Sequence, residues 1–228
     1  MKDQIVRKSE AVTLLGGGAL GAGDLEEALA HAPTLVAADG GAGAALAAGR
    51  VPDAVIGDFD SMSESVRAQI PAKRLFRIAE QVSTDFAKAL GRVDAPLVLG
   101  AGFLGARLDH QLAALSVLLE YAERPCILLG EREVVFHIPP RFRIDLELDD
   151  LISLFPLLPV RGQSQGLRWP IEGLELRPGG RVGTSNRALG PVRIDVETPG
   201  LLAMLPRVRL AAVIRAVRQA PRWPAPGL

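Results

Sequence analysis

The chain has 228 residues, 48% of them apolar, and its 26 basic and 26 acidic side chains cancel to a formal net charge of zero. That length suits one large domain or two small ones with a substantial core, and the balanced charge gives no global field to recruit a nucleic acid. A single cysteine, Cys126, excludes an internal disulfide and fits a reducing compartment. No apolar run approaches the about 20 residues of a membrane span. The charged start MKDQIVRKSE is followed by no apolar signal segment. A cytoplasmic protein with neither membrane nor nucleic-acid partner is therefore expected.

In chain order, four short apolar runs come first: AVTLL (11–15), TLVAA (34–38), DAVI (53–56) and PLVLG (96–100). Each is continuous rather than alternating, as strands buried on both faces of a parallel sheet are. Helices are predicted over 24–32, 64–70, 83–92 and 108–122. Ser83 or Thr84 caps the third, and Leu108, Leu112, Leu115, Leu118 and Leu119 share one face of the fourth. Strand and helix at this spacing predict a doubly wound α/β layer. Cys126 heads the run CILLG and reads as a buried, inert thiol.

The pattern changes near Pro139-Pro140. In RFRIDLELDD (141–150) Phe142, Ile144, Leu146 and Leu148 alternate with charged residues, and VRIDVE (192–197) repeats this with Val192, Ile194 and Val196. Period-two alternation means one wet and one dry face. Short runs broken by Gly and Pro lie between, as in a small all-β sandwich. The fold class expected is α/β: a mostly parallel N-terminal sheet with flanking helices over 1–138, and a C-terminal all-β sandwich over 139–206. A basic, proline-containing tail follows over 207–228, mobile at its tip.

In open α/β sheets, ligands bind beyond the carboxyl ends of the strands. Gly16-Gly17-Gly18 follows the first run and Asp39-Gly40-Gly41 the second. Gly57-Asp58-Phe59-Asp60-Ser61 follows the third, and Gly100-Ala101-Gly102, then Arg107, Asp109 and His110, the fourth. Parallel strands put all four junctions on one edge. Glycines let phosphate oxygens reach backbone N–H groups, and aspartates offer the hard oxygens that Mg²⁺ takes together with substrate phosphates. Asp58 and Asp60, two apart in extended chain, face one way and can reach one cation. Each motif alone also has an ordinary reading as a turn, a helix-start acid or a local ion pair. His31 and His137 lack partner motifs and read as structural. No G-x-x-x-x-G-K-[ST] or dinucleotide fingerprint is present.

ADGGA (38–42), PDAVIGDFDS (52–61), STDFAKAL (83–90), GARLDH (105–110) and GLRWPIEGLELRPGGRVGTSN (166–186) occur in that order. This series, spanning about residues 12 to 206, resembles the thiamine pyrophosphokinase family. The resemblance implies an α/β catalytic domain, a β-sandwich, and a homodimer binding thiamine between its subunits. It implies transfer of a pyrophosphoryl group from ATP to the thiamine hydroxyl, with Mg²⁺ as cofactor. It carries Asp39, Asp58, Asp60 and Asp85 over as the metal-holding acids, with Asp58, Asp60, Asp85 and Arg107 as catalytic groups. Asp39, Gly40, Gln81, Thr84, Lys88, Arg107 and Asp109 surround the nucleotide, and Ser185 and Asn186 meet thiamine.

Three positions depart from the family pattern. Val82 stands where an acid is common in D-x-T-D, Ala87 where a glutamate often follows, and Ala203 near the place of a tryptophan in some members. Trp169 belongs to the GLRWP strand signature and is expected in the sandwich core. Two other readings accommodate the departures. One is a thiamine- or nucleotide-binding homologue with weakened turnover. The other is a pyrophosphokinase for a different small alcohol.

Overall fold

The computed structural model describes residues 3–105 and 107–225. The chain divides into two compact units, Met1–Val117 with Leu128–Glu131, and Leu118–Ile127 with Arg132–Leu228.

The first unit contains β1 (Val6–Arg7), β2 (Val12–Leu15), α1 (Asp24–His31), β3 (Thr34–Ala38), α2 (Gly41–Ala47), β4 (Ala54–Gly57), α3 (Glu64–Ala68), β5 (Leu75–Arg77), α4 (Asp85–Leu90), β6 (Val93–Asp94) and β7 (Val98–Ala101). α5 (Leu108–Glu120) and β8 (Cys126–Leu129) follow, each divided between the two units. β2 pairs with β7, β3 with β4 and β4 with β5, all parallel. A single bridge joins Val12 to Pro33 at the entry of β3. β2, β3, β4 and β7 are buried along their whole length, which is why their sequences run apolar without alternating.

α2 and β5 are among the elements that left no readable signal. α2 is GAGAALA, strong in alanine propensity but without an amphipathic period. Its Gly41 is required by packing, since a Cβ there would lie 2.1 Å from the Leu15 carbonyl oxygen. β5 is three residues long, too short for a pattern.

The predicted leucine face of α5 is corrected. Leu108 and Leu112 are exposed, and the buried stripe is Ala114, Val117, Leu118 and Tyr121, the i, i+3, i+4, i+7 spacing of a core-facing helix. Leucine content misled because the smaller Ala114 and Val117 take the inward positions. Cys126 is buried, as expected, and burial pushes its thiol pKa far up.

The second unit is antiparallel, with β9 (Glu133–His137), β10 (Arg141–Ile144), β11 (Leu151–Pro156), β12 (Gly162–Leu167), β13 (Gly183–Val196) and β14 (Leu201–Pro206). β13 has 14 residues and serves two sheets. Its first part pairs with β11, which continues to β14 and β9. Its second part pairs with β10 on one side and β12 on the other. Gly190, at φ 135° and followed by Pro191, sits where the strand changes partners, a bend that a side chain would oppose.

The alternation expected over 141–150 holds through Ile144 and Leu146, and Leu148 is 67% exposed. β10 ends at Ile144, and the chain then turns through Asp149 at φ 67°. Trp169 is also corrected: it is 56% exposed, with the Arg168 guanidinium 5.9 Å from its ring centroid. The segment after Pro206 forms α6 (Leu210–Gln219), which buries Leu210, Val213, Ile214, Ala216 and Val217. Beyond it, the Trp223 indole N–H donates to the Ile138 carbonyl at 2.9 Å. No helix among the described residues is long and apolar enough to cross a membrane.

Candidate active site

The strand ends of the first unit meet through their backbones. Gly16 N–H donates to Ala101 and Gly18 N–H to Gly102. A Cβ on Gly18 would lie 2.5 Å from the Gly102 oxygen, and one on Gly16 2.6 Å from it. The triple glycine therefore lets two loops touch, and it spends the Gly16 and Gly18 N–H groups on that contact. That cavity, about 640 Å³, is walled by Gly16–Gly18, Gly40, Ser61, Thr84, Asp85, Phe103, Arg107 and His110, among others. Its size is ordinary for a small-molecule site. Phe103 stacks on Phe86 with centroids 4.3 Å apart, giving it an aromatic wall.

Asp39 sits at the end of β3 in a left-handed conformation, φ 38°, and is fully buried. Such a conformation is costly for aspartate and is held only by its surroundings. Here its Oδ1 accepts from Phe59 N–H at 2.9 Å and its Oδ2 from Ser61 N–H at 3.1 Å. Gly57 makes room, since a Cβ there would lie 2.7 Å from the Asp39 Cβ. Phe59 is itself left-handed at φ 71°. Asp58 and Asp60 thus meet through a turn, which corrects the extended-chain argument made from their spacing. Asp39, Asp58 and Asp60 each offer one oxygen, and these atoms lie within 4.8 Å of one another.

Beneath them lies Lys88 of α4, 2% exposed. Its ammonium donates to Asp58 Oδ2 at 2.5 Å and to Asp85 Oδ1 at 3.2 Å. Gln81 Nε2 also donates to Asp58 Oδ2, at 3.1 Å. Thr84 caps α4, accepting from Ala87 N–H at 3.2 Å, so Asp85 falls in the first helical turn, where a negative charge is favoured. The Lys88 hydrogen bond holds the Asp58 carboxyl below its usual pKa. Burial pushes Asp39 and Asp85 up. Burial pulls Lys88 down, but its hydrogen bonds to Asp58 and Asp85 outweigh this and raise it.

The residues fit a divalent cation. The cluster is all carboxylate oxygen, the donor set for Mg²⁺. Asp39, though buried, is held only by backbone N–H groups and keeps acceptor capacity on each oxygen.

Arg107 and Asp109 form a bidentate pair at 3.1 and 2.5 Å, both well exposed. Arg107 lines the cavity, and its guanidinium is engaged by Asp109. Val82 is 100% exposed. Glu80 shapes that loop by accepting from the Val82 and Ser83 N–H groups at 2.9 and 3.0 Å. Sequence reasoning missed Glu80 and Arg77, whose Nε donates to the Asp58 carbonyl at 3.3 Å. Gly57 and Ser61 were read at the strand end, inside GDFDS, but were given no role of their own.

In the second unit, Ser185 is exposed, at φ 60°, and its N–H donates to the Ser153 hydroxyl. Asn186 is 3% exposed. Its Oδ1 accepts from Trp169 N–H at 3.1 Å and Arg187 N–H at 2.8 Å, and its Nδ2 donates to the Trp169 carbonyl at 2.7 Å. Ala203 is fully buried in β14, opposite Phe136 and Leu154.

Comparison with known proteins follows the same division. Residues 25–129 match the family described as "Thiamin pyrophosphokinase, catalytic domain" and residues 136–201 "Thiamin pyrophosphokinase, vitamin B1 binding domain". Thiamine pyrophosphokinase 1 of Arabidopsis thaliana is 25% identical over 154 residues, 59% of this chain and 58% of the relative. Thiamine pyrophosphokinase 1 of Oryza sativa subsp. japonica is 26% identical over the same shares. The chain thus spans less than two thirds of the length of these plant relatives. The fold matches thiamin pyrophosphokinase from Candida albicans with a TM-score of 0.72 at 16% identity, over 90% of this chain and 97% of that one. It matches the Geobacillus thermodenitrificans enzyme with a TM-score of 0.69 at 23% identity, over 86% and 96%. With both domain models aligned in order across the two units, the chain belongs to the thiamin pyrophosphokinase family.

Proposed function

We propose that this protein is a thiamine diphosphokinase, transferring pyrophosphate from ATP to the hydroxyl of thiamine and releasing AMP. The observation that carries this is the convergence of Asp39, Asp58 and Asp60 beside a glycine-walled cavity lined by Asp85 and Arg107. A transfer of this kind needs positioning and charge neutralisation more than covalent catalysis.

Asp39, Asp58 and Asp60, with Asp85 behind them, would hold Mg²⁺. The ion, when bound, supplies charge neutralisation for the triphosphate. The Gly16–Gly18 and Gly40 backbones would border the nucleotide, with Thr84 and Arg107 on the cavity wall. Gln81 and Asp109 act by orienting Asp58 and Arg107. The thiamine oxygen forms a bond to the β-phosphorus as the bond from that phosphorus to the α-phosphate oxygen breaks. The hydroxyl proton goes to a carboxylate. Asp85 suits that role best, because it faces the cavity and its pKa is raised by burial. Arg107 would offset charge developing on the phosphates.

Ser185 is the exposed member of the thiamine-binding pair, while Asn186 acts by fixing the Trp169 backbone. A homodimer, with thiamine between subunits, and a cytoplasmic setting complete the reading.

The test is AMP release from Mg-ATP by purified protein, with and without thiamine, with the product checked by mass. Thiamine-dependent AMP together with thiamine diphosphate is the expected result. ATP binding with no such product would overturn the reading.

A further inference from the structure

The stretch 78–84, between β5 and α4, has no regular structure and no buried residue. Apolar packing therefore does not fix it, and such a segment opens easily unless hydrogen bonds hold it. Yet it carries two groups that the site depends on. Gln81 donates its amide to Asp58 Oδ2 at 3.1 Å. Thr84 caps α4 through the Ala87 N–H and lines the cavity beside Asp85. The entry is tied by Ile78 N–H, which donates to the Gly57 carbonyl at 2.7 Å. The rest is shaped by one side chain. Glu80 Oε2 accepts from Val82 N–H at 2.9 Å and from Ser83 N–H at 3.0 Å, and its Oε1 accepts from the Ser83 hydroxyl. The bonds from Ser83 hold the Glu80 carboxyl below its usual pKa, so the acceptor is a carboxylate. Glu80 neither lines the cavity nor belongs to the converging acids, and position 82 gives the turn only its N–H.

We propose that Glu80 is a positioning residue for the transfer, acting through the turn at 81–84. Its carboxylate gathers three donors and so fixes where Gln81 meets Asp58 and where α4 begins. The start of α4 in turn places Asp85 at the cavity. Without Glu80 the turn opens, the Gln81 amide leaves Asp58, and Asp85 sits on a frayed first turn. A displacement of about 1 Å at such groups can cost about 100-fold in rate. The kinetic part of this inference rests on the proposed transfer, and the structural part on hydrogen bonding alone.

The experiment compares wild type, Glu80→Ala, Glu80→Gln and Ser83→Ala in two measurements. All are expected to stay folded, since the loop buries no side chain. Amide hydrogen exchange, followed without nucleotide, should show protection at Val82 and Ser83 falling at least 10-fold in Glu80→Ala. In Glu80→Gln it should stay within about 3-fold of wild type, because the amide oxygen accepts the same N–H groups and its NH₂ can donate to the Ser83 oxygen. In steady-state AMP release with thiamine, Glu80→Ala should lower kcat at least 10-fold with KM for ATP within about 3-fold, since Glu80 touches no substrate. Glu80→Gln should restore kcat to within about 3-fold of wild type. Ser83→Ala, which keeps the two N–H bonds, should fall between them. Wild-type protection in Glu80→Ala would overturn the proposal, as would an unchanged kcat. A Glu80→Gln protein with full protection but the kcat of Glu80→Ala would also overturn it, because the charge itself would then act in the reaction. Wild-type protein that makes no thiamine diphosphate would sink the proposed activity, and the exchange measurement would still decide whether Glu80 holds the turn.

Discussion

Asp39 and Asn186 are both buried polar side chains next to a left-handed residue or in one, and they differ in what they have left to give. Asp39 holds two backbone N–H groups and retains acceptor capacity beside two other carboxylates. Asn186 uses its oxygen twice and its amide once, all on the backbone of Trp169 and Arg187. A buried carboxylate with spare acceptor capacity and uncompensated charge points to a ligand, while a neutral amide whose oxygen is fully used on the backbone points to architecture. Motif matching grants both residues the same standing.

The largest expected effect tests that contrast inside the acid cluster. Asp58→Asn and Asp60→Asn should each cut AMP release at least ~100-fold if they hold the metal. They should separate on stability. Asp60 is exposed, so its variant should melt like the wild type. Asp58→Asn weakens the main partner of buried Lys88 and should lose stability on the order of 3 kcal/mol in urea titration. Near-normal turnover in both would remove the metal assignment.

His137 gives the next effect, on the second unit. Its Nε2 accepts from Gly200 N–H at 2.8 Å, its Nδ1 is buried without a partner, and burial lowers its pKa to about 4. Because the folded state resists a proton that the unfolded chain accepts near pH 6.5, unfolding takes up a proton below that pH. Stability is whole above about 6.5 and falls as pH drops toward 4, by up to about 3 kcal/mol. His137→Asn, which keeps an acceptor, should flatten that slope in denaturant titrations across the window. An unchanged slope would show that other groups set it.

Asn186→Ala should come third, costing about 1–3 kcal/mol by leaving the Trp169 backbone groups unpaired. Ser185→Ala should be nearly neutral in melting and raise KM for thiamine. Equal stability of the two variants would erase the distinction drawn between them. The smallest effect is Val82→Asp, a few-fold gain in Mn²⁺ affinity or in rate. Its fully exposed side chain can take a charge without repacking. No change would mean that Glu80 and Gln81 already organise this loop.

Much of the architecture was readable because burial leaves a mark on composition. The continuous runs at 11–15, 34–38 and 53–56 became strands, and Phe142, Ile144 and Val192 face the core. The order of acids and glycines at the strand ends was likewise legible. How they meet was not. Spacing suggested extended chain at Asp58 and Asp60, and the left-handed Phe59 between them does the work instead. Leu148 read as core from the alternation and Trp169 from its strand signature, but neither pattern says whether a partner covers the side chain. Lys88 was placed around the nucleotide by resemblance, and its depth was not readable, because a sequence shows a charge without showing its burial.

The sharing of β13 has a kinetic consequence. One strand hydrogen-bonds β11 through its first residues and β10 and β12 through its last, so opening either set of pairings loosens a strand that the other set holds. The two should therefore lose amide-exchange protection together, as a single cooperative foldon. Both sets of pairings join residues far apart in sequence, so closing them around one strand is expected to be slow.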